Sequence, residues 1–275
     1  MKNLADTGGR WLDISPQRFP GWIASFARRH GGTTPELSLT VAVTSDDVIF
    51  TAPDGATAKC QPPFWESQIE VREYGGQDAA HVARLISEHA LAERDVAVLL
   101  VRLGGYAAGV FTGSPPKLAV SKTGSRLVHG RSAAGGWSQH RFARRREKQA
   151  AEALHAAANA AAQIFGGWGV GKDRSGSDVV IFGGDKRAVA DTVSDPRLAP
   201  YLDLVTSRFL TVPDPRLAVL KDVPRLFLAV RILLREPAAD RILFRAFAPP
   251  AVACRGIAEI AESLEWCNRD RCQWP

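Results

Sequence analysis

Residues 130–149 read GRSAAGGWSQHRFARRREKQ. A run of glycine, alanine and serine ends at one indole and one amide, Trp137 and Gln139, and a strongly basic segment follows at once. Beyond it the chain is alanine-rich and free of glycine and proline as far as Gly166 and Gly167. That composition predicts a long helix over 140–165, closed by the glycine pair. Upstream, the apolar run Val96–Val101 is typical of a strand covered on both faces. Gly104 and Gly105 turn it into a hairpin partner over Tyr106–Phe111, and 117–121 and 126–128 predict further strands. Downstream, 178–182 reads as a short buried strand closed by Gly183 and Gly184. Helices are expected at 185–193 and 198–209, and a last strand at 226–234 between Pro224 and Pro237. Antiparallel strands first, then helix, strand, helix, strand, predict an α+β (mixed α/β) fold. Its form is one mixed sheet covered by helices in a ribonuclease-H-like order.

Three segments follow. Residues 1–77 form an N-terminal α/β extension: a helix over 15–30 stopped by Gly31 and Gly32, then a β-hairpin within 37–52. Residues 78–237, opening with a helix over 78–91, form the main domain, and 238–275 a tail. At 275 residues, 45% hydrophobic and 23% charged, the chain has the composition of a soluble globular protein. It holds no apolar run long enough to span a membrane and does not open on a signal peptide, so a cytoplasmic protein is expected. The four cysteines form no CxxC pair and read as reduced, structural thiols. A monomer without metal or cofactor is expected.

Charge is concentrated. From Lys117 to Lys148 there are nine Lys/Arg against one acid, Glu147, a local +8 in a chain whose total is +6. The rest of the chain is therefore slightly acidic, and the patch fits a polyanionic partner. Arg141, Arg144 and Arg145 recur at helical spacing, with Arg146 and Lys148 beside them. Cations at a helix start oppose its dipole, and phosphate contact would offset that cost.

At Gly135, Gly136, Trp137, Ser138 and Gln139, and in the Arg141–Arg146 run and long helix that follow, the chain resembles the actinobacterial branch of the Vms-like release-factor domain family. Residues 96–111, 180–185 and 212–216 fit the same pattern, and the resemblance covers roughly 80–235. The family is related to the middle domain of the eukaryotic class-1 release factor. The resemblance implies a peptidyl-tRNA hydrolase that frees nascent chains from tRNA on stalled large ribosomal subunits. It implies Gln139 as the catalytic glutamine, and Arg126, or else Arg131, as an upstream catalytic arginine. Gly135, Gly136, Trp137, Ser138, Arg141, Arg144, Arg145, Arg146 and Lys148 would then contact RNA. Trp137 and Ser138 stand between the glycines and the glutamine, a departure from the Gly-Gly-Gln of termination factors.

The chemistry is open in one respect. A glutamine amide is a poor base, but it can hold a nucleophile through its C=O and donate from its NH₂. It could orient a water or ribose hydroxyl toward an aminoacyl ester, or a 2′-hydroxyl toward a phosphodiester near the tRNA 3′ end, with an arginine at the developing charge. A non-catalytic RNA- or ribosome-binding adaptor would use the same patch. A two-metal nuclease would draw on Asp173, Asp178, Asp185 and Asp191, but these acids sit where caps and turns are expected. His129 and His140 flank the loop without an evident carboxylate to orient them, and Ser138 lacks the partners of a triad.

Overall fold

The computed structural model describes residues 9–31, 39–65, 78–102, 104–125, 138–171 and 178–237, with the backbone path alone over 138–147. The chain divides into two compact units, 1–237 and 238–275. The tail lies outside the described residues, as do Cys254, Cys267 and Cys272.

The α+β class stands, but there are two five-stranded sheets where one was expected. The first is antiparallel throughout, in the order β1 (Arg10–Ile14), β10 (Val230–Arg235), β4 (Thr57–Gln61), β3 (Val48–Thr51), β2 (Thr40–Val43). Helices α1 (Phe19–His30) and α2 (Ala79–Leu91) pack on it. Phe19, Ile23 and Phe26 of α1 and Val82 and Ile86 of α2 meet Phe50, Ala58, Ile232 and Leu234 in one buried cluster. Strands β1 and β4 escape sequence reading because both are short and carry charge: Arg10 and Asp13 are exposed, and Lys59 is half-buried. Helix α2 and strand β10, grouped by sequence with residues 78–237, thus pack with residues from 1–77.

The second sheet has the order β7 (Lys117–Ser125), β6 (Gly105–Thr112), β5 (Val96–Arg102), β8 (Val179–Gly184), β9 (Val205–Leu210). Strand β6 is antiparallel to β5 and β7, whereas β5, β8 and β9 are parallel. Alternate residues of β5 serve two cores. Ala97, Leu99 and Val101 face α3 (Ser138–Trp168) and α4 (Lys186–Val193). Val96, Val98 and Leu100 face α5 (Leu217–Asp222) and α6 (Pro224–Phe227). Burial on both faces explains the unbroken apolar run.

Three expectations change. The helix expected at 198–209 is a 3-10 helix over Pro196–Leu204 followed by β9. Pro200 interrupts helical hydrogen bonding, and Val205 and Thr206 are β-branched residues that pair readily beside β8. The strand expected at 226–234 begins only at Val230, because α6 occupies 224–227. The long helix passes through Gly166 and Gly167 and leaves helical geometry at Gly169, whose φ is +88°. The amides of Gly169 and Val170 both donate to the Phe165 carbonyl, each at 3.0 Å, which closes the last turn.

Two half-buried arginines tie the layers together. Arg208 of β9 donates to the carbonyls of Leu226, Phe227, Ala229 and, across to β4, Gln61. Arg94 lies 4.3 Å over the Phe64 ring and donates to the His89 carbonyl at 2.7 Å. Burial lowers both guanidiniums to about 10, so both remain cations at neutral pH.

Candidate functional site

Helix α3 sets the geometry of the predicted site. At its C-terminal end the Trp168 indole N–H donates to Asp95, 2.6 Å away, just before β5. Further up, Ala150, Ala153 and Leu154 lie against Val101, Arg102, Gly104 and Gly105, at the far end of β5. The helix therefore runs antiparallel to β5. Residues 138–149, about 18 Å of helix at 1.5 Å per residue, continue past the end of that strand.

The buried half is packed through small residues. Ala157, Ala158, Ala160 and Ala161, with Phe165, bring the helix close to Ala97 and Ala108 of the sheet. Lys122 of β7 donates to Gln163 of α3 at 2.6 Å, which adds a polar tie between helix and edge strand. Before Ala157 no described residue of the helix is fully buried.

The helix start is earlier than the sequence suggested. Ser138 is its first residue, so the backbone of Gln139 lies in the first turn and not at the end of a loop. Arg141, Arg144, Arg145 and Arg146 are on the same overhanging stretch, and Lys148 is exposed. Arg126, Arg131, Gly135, Gly136 and Trp137 lie outside the described residues, and so does the strand expected at 126–128. The strand before it is a single one, Lys117–Ser125, and ends where residue 126 begins.

That point is the carboxyl end of the second sheet. Strands β5, β7, β8 and β9 all run toward it. Ser125 pairs with Gly105, and the Asp185 amide donates to the Val101 carbonyl at 2.8 Å. Gly184, at φ +104°, sits so close that a Cβ would overlap the Val101 carbonyl. Only glycine fits there. Arg102 donates to the Val212 carbonyl at 3.0 Å and fixes the segment 212–216 beside it.

Two of the carboxylates considered for metal have other tasks. Asp185 caps α4 by accepting the Ala188 N–H at 2.8 Å, and Asp178 accepts the Gly171 N–H at 2.7 Å. Asp173 lies outside the described residues. Reading the sequence by charge and motif passed over Tyr106 and Gly124, which the pairing of β6 with β7 brings together at this sheet end. Among the described residues no helix is long and apolar enough to cross a membrane.

Residues 94–233 match the family model acVLRF1, the Actinobacteria/chloroflexi VLRF1 release factors, over just more than half of the chain. Two solved structures are similar. One is an archaeal translation termination factor, aRF1, 12% identical, with 79% of this chain covered and a TM-score of 0.33. The other is the Vms1 mitochondrial localization core, 11% identical, with 70% of this chain and 76% of that one covered and a TM-score of 0.34. The match spans 66% of the archaeal factor's own length. No curated protein sequence matches. The family match contains β5 to β9, the overhanging helix and Gln139, and the chain belongs to the Actinobacteria/chloroflexi VLRF1 release-factor family.

Proposed function

We propose that the protein is a ribosome-rescue peptidyl-tRNA hydrolase, in which Gln139 positions the nucleophile that releases the nascent chain from tRNA on a stalled large ribosomal subunit. The observation that carries this reading is the overhang. Gln139 lies in the first turn of a helix that continues about 18 Å past its supporting strand, along a basic stretch. A reactive group needed inside a narrow, phosphate-lined site is well served by such a projection.

In the proposed reaction a water is held by the Gln139 carbonyl, attacks the ester carbonyl carbon and gives up its proton to the medium. The acyl–oxygen bond to the tRNA breaks, and the departing ribose oxygen takes up a proton from the medium. Backbone N–H groups at Gly135 and Gly136 and the Gln139 NH₂ would stabilise the oxyanion. Arg126 or Arg131 would meet phosphate, and Trp137 would stack on a base. Arg141, Arg144, Arg145, Arg146 and Lys148 would bind the RNA backbone. No metal or cofactor is needed for these steps.

The test uses purified large subunits carrying peptidyl-tRNA. Release of the chain with an intact tRNA 3′ end by mass analysis, lost in Gln139→Ala at equal subunit occupancy, is the expected result. A shortened 3′ end reassigns the cut to a phosphodiester. Unchanged release by Gln139→Ala removes Gln139 from the reaction.

A further inference from the structure

We propose that Tyr106 is a positioning residue for the reaction proposed above: its ring, laid across Gly124, holds the end of β7 in register and so sets the point from which the chain departs toward Arg126 and Gln139. The proposal rests on that reading and adds to it a residue that acts through the backbone.

The placement follows from the strand pairing. Tyr106, near the start of β6, stands opposite Val101 of β5 on one side and Gly124 of β7 on the other. Residues directly opposite one another share a face of the sheet. Here it is the face that α3 covers, since Val101 is buried in the α3 core and Tyr106 packs against it. Gly124 leaves the neighbouring place on that face without a side chain, and the Tyr106 ring fills it. A Cβ at Gly124 would lie 2.5 Å from Tyr106 Cζ and 2.6 Å from both Cε1 and the phenol oxygen. The ring thus crosses the roughly 5 Å between the strands and rests with its outer end over the β7 backbone.

Three observations give that contact a task beyond packing. Gly124 has no positive φ, unlike Gly113 and Gly184, so the space under the ring and not the backbone conformation calls for glycine. Strand β7 is an edge strand, and of its last five residues only Gly124 is not exposed. The β6–β7 pairing also shifts register between Val110 and Phe111, so beyond that shift the alignment depends on local pairs. An aromatic ring over a glycine is such a pin. A slip of one residue would turn every following side chain to the opposite face and move the departure point of residue 126 by about 3.3 Å. The Tyr106 hydroxyl has no hydrogen bond among the described residues, so the ring carries the contact. The other end of segment 126–137 is set by α3, which starts at Ser138. A geometry shared between Arg126 and Gln139 therefore needs both ends in place.

The experiment measures single-turnover release of nascent chain from peptidyl-tRNA on purified large subunits, over a range of concentrations of the full chain, with thermal unfolding in parallel. The proteins are wild type, Tyr106→Phe, Tyr106→Leu, Gly124→Ala, Tyr106→Leu/Gly124→Ala and Gln139→Ala. Tyr106→Leu keeps apolar bulk but cannot reach Gly124, and Gly124→Ala pushes the ring off β7. Expected for each is a saturated rate about tenfold or more lower per folded molecule, since a misplacement of about 1 Å can cost a hundredfold, with the half-saturating concentration within about twofold of wild type. Tyr106→Phe should keep the wild-type rate, and Gly124→Ala should cost little more once Tyr106→Leu has vacated the space. A residue that only stabilises the fold would lower the melting temperature and leave the saturated rate per folded molecule unchanged. A wild-type saturated rate in Tyr106→Leu or in Gly124→Ala, beside lost release in Gln139→Ala, overturns the proposal and leaves the reading of Gln139 in place. If Tyr106→Leu does not fold, Gly124→Ala decides by itself. Slow release by these variants beside a wild-type rate in Gln139→Ala keeps the positioning role and removes Gln139 from the reaction. No release by wild type overturns both.

Discussion

Over 157–165 helix α3 presents Ala157, Ala158, Ala160, Ala161, Ile164 and Phe165 to the second sheet, whereas over 141–148 the same helix carries five cations past the sheet's end. The first set is held by packing, and any added methylene has nowhere to go. The second set lies past the end of β5, where Arg141, close to the helix start, opposes the dipole at about 0.3–1 kcal/mol. A helix placed only for stability would carry its acids at that end. One half of the helix therefore supports the fold, and the other is free to answer to a partner.

The sharpest way to break this contrast is Gln139→Glu. Single-turnover release at equal subunit occupancy should fall about a hundredfold or more, as when an oxyanion donor is removed, with thermal stability unchanged. A Gln139→Glu protein that keeps the wild-type rate would make residue 139 a general base and end the positioning mechanism. In the packed half, Ala160→Leu should do the opposite. Overpacking against the sheet should cost about 1–3 kcal/mol in chemical denaturation, while release per folded molecule stays the same. Arg144→Glu/Arg145→Glu should leave stability within about 0.5 kcal/mol yet flatten the salt dependence of ribosome or tRNA binding by roughly 0.7–0.9 per lost contact. Unchanged binding there would make the basic run a solvated helix face.

The smallest effect lies in neither half of α3. His89, in the last turn of α2, has its pKa lowered first by burial, and further by Arg94, against a raising hydrogen bond to the Phe64 carbonyl. The unfolded chain then binds the proton more readily than the folded one. The resulting stability is present above the ordinary value of 6.5 and is lost as pH falls through the lowered folded value. Urea midpoints should drop between about pH 7.5 and about pH 5, and His89→Gln should reduce the drop. If instead the loss on acidification is unaltered in His89→Gln, other groups control it.

Much of the second sheet was legible because its residues repeat one signal. Val96–Val101 has a core on each face, and the alanine stretch of α3 packs by smallness. The first sheet was half legible. Strand β3 alternates cleanly, but β1 and β4 are five-residue strands whose partner, β10, is more than two hundred residues from β1. No local pattern announces such a pairing. The 198–209 segment misled because Leu198, Tyr201, Leu202 and Val205 recur at the spacing of a helix face, and Pro200 was the contrary sign. For the site, Gln139 and the arginine run stand together in sequence and could be found there. Tyr106 and Gly124 could not, since only the register of β6 on β7 sets them side by side.

The place of β10 between β1 and β4 also governs the order in which the chain is completed. The second sheet closes once residue 210 has been made, from strands that lie close along the chain. The first sheet keeps β1 and β4 apart until residues 230–235 emerge to join them. During synthesis the early strands wait with unpaired edges, a state of high contact order that exposes apolar surface. A translating ribosome would thus have to make nearly all of unit 1–237 before its first quarter can finish folding. Truncation just before Val230 should leave a chain whose second sheet resists proteolysis while the segment around β1 is cut.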